Sequence, residues 1–157
     1  HDADITIVYK EGLQQVLLNG ENVTGLLRTE EVGNMASASS VNKDVRLKLV
    51  ELQRALAERE NVVMDGRDIG TYVLPKANVK VYLTASSACR AKRRFDELTE
   101  KGEICDLAAI EADIIERDKR DMEREFAPLR QAEDATYVDS SNMTIDEVIT
   151  AITDLIH

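Results

Sequence analysis

The sequence predicts an α/β fold with a parallel sheet. Two observations carry this expectation: short apolar runs of strand length alternate with longer stretches of helical period, and two of the three runs, Val79 to Thr84 and Ala135 to Asp139, are followed by helix-starting signals. A separate antiparallel pattern at the start of the chain stands outside that alternation.

That opening pattern comes first in the chain. Ile5-Thr6-Ile7-Val8-Tyr9, a Lys10-Glu11-Gly12 turn, then Gln15-Val16-Leu17-Leu18 ending in Asn19-Gly20 predict a small hairpin or meander. From Asp44 to Arg59, Val45, Leu49, Leu52 and Leu56 recur at helical spacing, with Asp44 as the expected N-cap. Asn61-Val62-Val63-Met64-Asp65 reads as a buried strand whose end opens at Gly66. A second buried run, Val79 to Thr84, leads through Ser86 and Ser87 as caps into a charged helix reaching Leu98. A further helix is expected from Leu107 to Glu125, stopped near Pro128. Ala135 to Asp139 is the third strand. The last helix starts at Thr144, where Glu147 completes capping-box spacing, and should bury Val148, Ile149, Ile152 and Leu155. Three parallel strands make a small sheet.

Composition narrows the function. With 157 residues and 43% hydrophobic side chains the chain can bury one core, with room for a small insertion. Cys89 and Cys105 have neither CxxC nor Cys/His spacing, so reduced thiols in a cytoplasmic protein are expected rather than a disulfide framework or zinc. No run of 18 apolar residues and no leader pattern is present, and no membrane partner is expected. A net charge of -10 argues against a nucleic-acid polymer, which demands a basic surface. A phosphate ligand would have to be met by a local group of arginines.

Three such groups exist. Asp65-Gly66-Arg67-Asp68 closes the first predicted strand, where ligands of open α/β sheets bind; a turn with a surface salt bridge explains it equally well. On the helix from Leu107, Ile110, Ile114, Arg117, Asp121 and Arg124 fall on one stripe at about 100° per residue, so a face that starts apolar ends as Arg, Asp, Arg. An anion held by Arg117 and Arg124, with Asp121 accepting from a hydroxyl, would satisfy those charges, as a nucleoside monophosphate does. A solvated helix end with i,i+4 pairs is the alternative. Arg90, Arg93 and Arg94 form the third group, suited to phosphates or to an exposed face paired with Asp96, Glu97 and Glu100. None of the seven glycines is followed by lysine, so the sequence contains no GxxxxGK[ST] phosphate loop.

Asn61 to Gly70 (NVVMDGRDIG), Val79 to Ser86, Ala91-Lys92-Arg93-Arg94, Glu116 to Asp121, Ala127-Pro128-Leu129 and Leu18 to Thr24 together resemble bacterial cytidylate kinase, a nucleoside monophosphate kinase, over nearly the whole chain. The resemblance implies an incomplete parallel-sheet P-loop kinase core over residues 56–157, a monophosphate-binding insert over 1–55, and a helical lid at about 93–124. It implies ATP-dependent phosphorylation of CMP and dCMP, with ATP and Mg²⁺ held mainly by the phosphate-loop segment that this sequence lacks. Ser37, Arg46 and Asp68 would read the cytosine ring. Arg67, Arg117 and Arg124 would hold the acceptor phosphate and act in catalysis, Asp121 with Arg117 would hold the ribose, and Arg93 in the lid would meet ATP. No metal ligand is expected within the chain. The implied protein is a cytoplasmic monomer, and this chain alone is expected to be inactive. The competing expectations are a CMP-binding fragment or degenerate non-catalytic kinase-like module, which the missing loop favours, and a UMP or AMP kinase.

Overall fold

The computed structural model describes residues 3–27, 29–40 and 42–156, apart from the side chains of Glu30, Asn34 and Ser37. It divides into two compact units, His1–Glu51 and Leu52–His157.

In the first unit, β1 (Ile5–Lys10), β2 (Leu13–Leu18) and β3 (Glu21–Asn22) form the expected antiparallel meander, in register from Ile5↔Leu18 to Lys10↔Leu13. Both connections are two-residue loops with positive φ at each residue: Glu11 at 53° and Gly12 at 78°, Asn19 at 51° and Gly20 at 84°. That geometry matches the right-handed twist of the strands, and glycine adopts it without a Cβ clash. After β3, the Asn22 carboxamide oxygen accepts from the Thr24 backbone and hydroxyl, and the Thr24 hydroxyl in turn accepts from the Val16 amide at 2.8 Å. The short 3-10 turn Thr24–Leu26 is thereby tied to β2.

Helix α1 (Glu30–Ser39) has no clear apolar period in the sequence; Thr29 starts it, its side chain accepting from the Val32 amide. In α2 (Lys43–Arg59) the cap differs from expectation: the Asn42 side-chain oxygen accepts from the amides of Asp44 (2.9 Å) and Val45 (3.3 Å). Asp44 lies instead in the first turn, where its charge faces the positive end of the helix.

The second unit holds the parallel sheet, which has two strands rather than three. β4 (Val81–Thr84) pairs with β5 (Thr136–Asp139), and Tyr82 stacks on its register partner Tyr137 with ring centroids 6.0 Å apart. Lys80 ties the two strand entries together: its ammonium, on a side chain only 6% exposed, donates to the Pro75 carbonyl and to both carboxylate oxygens of Asp134. Residues 61–65 form no strand, because among the described residues no strand lies beside them to share a ladder, and Val63 is 99% exposed. They lead instead into a π-helical segment, Ile69–Val73, whose i+5 bonds run from Val73 to Asp68 and from Leu74 to Ile69.

Helix α3 (Ser87–Glu100) is capped by Ser86, and α4 (Leu107–Glu123) by Asp106, whose carboxylate accepts from the Ala109 amide at 2.7 Å. Helix α5 (Ile145–Thr153) shows the full capping box between Thr144 and Glu147. Burial is sparser than the composition suggests. Among the described residues the buried apolar ones are Val50, Val73, Ala85, Ala91 and Val138, while Leu83 on β4 and Ile149 on α5 are about half exposed. A two-stranded sheet offers too little surface to bury the apolar faces of the helices around it.

Candidate functional site

The site grows from the loop that follows residues 61–65. Gly66 lets the backbone pass Ile69: a Cβ there would stand 2.9 Å from Ile69 Cγ1. Asp68 is the last residue before the π-helical segment and is 8% exposed. That segment is anchored from two sides. Arg54 of α2 donates to the Val73 and Tyr72 carbonyls at 2.9 and 2.7 Å, its guanidinium 5.6 Å from the centre of the Tyr72 ring. On the other side Tyr72 packs edge-on against Phe126 at 4.9 Å, just beyond the end of α4. This aromatic contact brings Arg67 and Asp68 to the C-terminal end of α4.

There the predicted stripe delivers its charges. Arg67 Nε donates to Asp121 Oδ2 at 2.9 Å, although 54 residues separate them. Arg124 Nη2 lies 3.6 Å from Asp68 Oδ1 and Nη1 lies 4.0 Å from Asp121 Oδ1, ion-pair distances too long for hydrogen bonds. Arg124 Nε donates to the Ala127 carbonyl at 2.6 Å, and the Leu129 amide to the Asp121 carbonyl at 2.8 Å. The chain reverses here through Ala127, at φ 49°, and holds the Arg124 side chain against the helix end. Two arginines thus alternate with two aspartates, three of the four side chains being 20% exposed or less.

Such an arrangement has definite chemistry. Each carboxylate faces a guanidinium, and guanidinium groups are donors suited to a phosphate or a ribose hydroxyl. Arg117 belongs to the same helical stripe, but its side chain is exposed and has no ion pair or hydrogen bond among the described residues. Arg93, on α3, donates to the Ser140 carbonyl (2.6 Å) and hydroxyl (3.3 Å), which places its guanidinium at the carboxyl end of β5. Arg46 lies in α2 within the first unit. Ser37 falls in α1, and its side chain is outside the described residues. Sequence reasoning did not find Asp118, which accepts hydrogen bonds from both terminal nitrogens of Arg90, because that contact joins residues 28 apart on two different helices. Among the described residues no group of acidic, histidine or cysteine side chains could hold a metal ion, and no helix is long and apolar enough to cross a membrane.

The family model described as cytidylate kinase matches residues 2–157. This chain belongs to the cytidylate kinase family. Among curated relatives, the cytidylate kinase of Caldicellulosiruptor saccharolyticus is 51% identical over 99% of the chain and 69% of its own length. Those of Lactobacillus gasseri and Bacillus subtilis are 50% and 45% identical over 96% and 92% of the chain, and over 66% and 65% of their lengths. The chain therefore spans about two thirds of the length of the cytidylate kinases it matches. The α/β core with its parallel strand pair is the architecture expected of part of a nucleoside monophosphate kinase.

Proposed function

We propose that the whole protein is a cytidylate kinase that transfers the γ-phosphoryl group of ATP to CMP and dCMP, and that this chain carries its acceptor site. The observation that supports this most directly is the convergence of Arg67, Asp68, Asp121 and Arg124 at one end of α4, within a chain of this family. Phosphoryl transfer needs little covalent help from protein; its rate rests on aligning the acceptor oxygen and neutralising spreading charge. Arg67, Arg117 and Arg124 are assigned to the acceptor phosphate, and Asp121 with Arg117 to the ribose.

Asp68, with Arg46 and Ser37, is assigned to the base. Cytosine offers an exocyclic amine that a carboxylate accepts, whereas uracil would turn a carbonyl toward Asp68 and leave two acceptors opposed. Residues 1–55 are assigned to a monophosphate-binding insert and 93–124 to a lid, with Arg93 on the ATP side. ATP serves as donor and Mg²⁺ as its counter-ion. The residues present do not suit either phosphate cradle or metal: the sequence has no GxxxxGK[ST], and the described residues no acidic cluster, so both are assigned to the further length that the relatives possess. We read the enzyme as a cytoplasmic monomer, in keeping with its small-molecule substrates and the unpaired thiols of Cys89 and Cys105.

The missing loop also bears on the second expectation, a CMP-binding module. By itself the 157-residue chain should bind CMP and transfer nothing. The deciding assay supplies the full-length protein with ATP, Mg²⁺ and CMP, UMP or AMP in turn. CMP turned over at least about tenfold more efficiently than the others supports the assignment; no turnover of any, with CMP still bound, would favour the binding module.

A further inference from the structure

We propose that Arg90 and Asp118 form a positioning pair that fixes the roll of α4 and so aims its acceptor-binding face. Neither residue belongs to the acceptor site, and the inference rests on the assignment of Arg117, Asp121 and Arg124 made above.

The guanidinium of Arg90 spends three donors on two structural elements. Nη1 and Nη2 donate to Oδ1 and Oδ2 of Asp118 at 3.1 and 2.5 Å, a bidentate fork, while Nε donates to the Ala85 carbonyl at 3.0 Å. Ala85 is buried and immediately follows β4, so one side chain connects the carboxyl end of the sheet, the first turn of α3 and the middle of α4. One turn earlier on α3, the Ser87 hydroxyl donates to Glu111 Oε1 at 2.9 Å. Ser87 and Arg90 are i,i+3 on α3, and Glu111 and Asp118 are i,i+7 on α4. Both spacings place their two residues on one helix face, so the two links together restrain tilt and roll.

Roll matters because of what flanks Asp118. Arg117 precedes it directly, Asp121 lies one turn on, and Arg124 ends the helix. A rotation of α4 about its axis would swing Asp121 and Arg124 away from Arg67 and Asp68 and would turn Arg117 with them. Bidentate geometry suits this purpose, since it defines direction as well as distance, which a lysine cannot. The hydrogen bonds that Arg90 donates to Asp118 raise the Arg90 pKa more than partial burial lowers it, in keeping with a guanidinium that stays charged.

The test uses the full-length enzyme with Asp118→Asn, Arg90→Gln and the double variant, read by steady-state kinetics and by hydrogen exchange of amides 107–123. Each single variant should raise KM for CMP about tenfold with KM for ATP within about twofold, and the double should be no worse than the poorer single. A CMP KM left unchanged in both singles would overturn the proposal. So would an ATP KM raised by Arg90→Gln alone, which would put Arg90 on the donor itself. If either variant folds poorly, Ser87→Ala loosens the same helix pair more gently and should raise the CMP KM by about twofold; no change would count against the proposal. Should the wild-type protein fail to phosphorylate CMP, the functional assignment fails independently. Faster exchange across α4 in both variants would then still support the pair, and unchanged exchange would refute it.

Discussion

At the scale of single residues, Asp121 does two things: it accepts from Arg67 Nε and lies within ion-pair reach of Arg124. Its replacement by asparagine should therefore cost more than one lost ribose contact, because Arg67 loses its paired carboxylate and Arg124 loses one of two. Asp121→Asn is expected to raise KM for CMP by about 10- to 100-fold, the range set by the half-exposed Arg67 side chain. A steady-state CMP titration checks it. The four charges of the cluster were all visible in the sequence, two in the Asp-Gly-Arg-Asp turn and two on the helical stripe, because helix periodicity puts Asp121 and Arg124 on one face. Their meeting was not visible, since it depends on the Tyr72–Phe126 contact and the turn at Ala127, and neither has a local signature. Arg117 shows the limit of periodicity: it shares the stripe and stays exposed.

Elements proved legible wherever a strong local signal set them. The meander follows from two loops that only residues tolerant of positive φ can form, and Gly20→Val should destabilise the first unit by about 1 kcal/mol or more through the strained backbone, measured as a lowered denaturation midpoint. The capping box of α5 was likewise readable from Thr144 and Glu147. The Thr144 amide and hydroxyl donate to the Glu147 carboxylate, and these bonds hold its pKa below the ordinary glutamate value. A depressed carboxylate favours the folded state above the unfolded pKa and loses that contribution as pH falls through the folded one. Protection of the α5 amides should therefore fall on acidification through and below the usual carboxylate range, and a Glu147→Gln variant should show a weaker dependence. Two elements escaped for opposite reasons. Helix α1 lacks an apolar period and depends on its Thr29 cap, whereas residues 61–65 have a strand's composition but no neighbouring strand to pair with.

For the molecule as a whole, the sequence combines a net charge of -10 with a small, local group of arginines, so specific anion binding has to come from geometry rather than from a general positive field. Few large apolar side chains are buried, and the folded state should respond strongly to a ligand that cross-links Arg67 to the end of α4. A ligand bound only by the native protein adds about 2.7 kcal/mol at a hundredfold excess over Kd, so CMP should raise the thermal midpoint by several degrees. UMP at the same concentration should raise it less. The most direct test of the central claim is a calorimetric titration of CMP and of UMP into the full-length protein, repeated with Asp68→Asn. CMP binding at least about tenfold tighter than UMP, with the preference largely lost in the variant, is the predicted result. Equal affinity for the two nucleotides in the wild-type protein would contradict the assignment of this cluster as a cytidylate acceptor site.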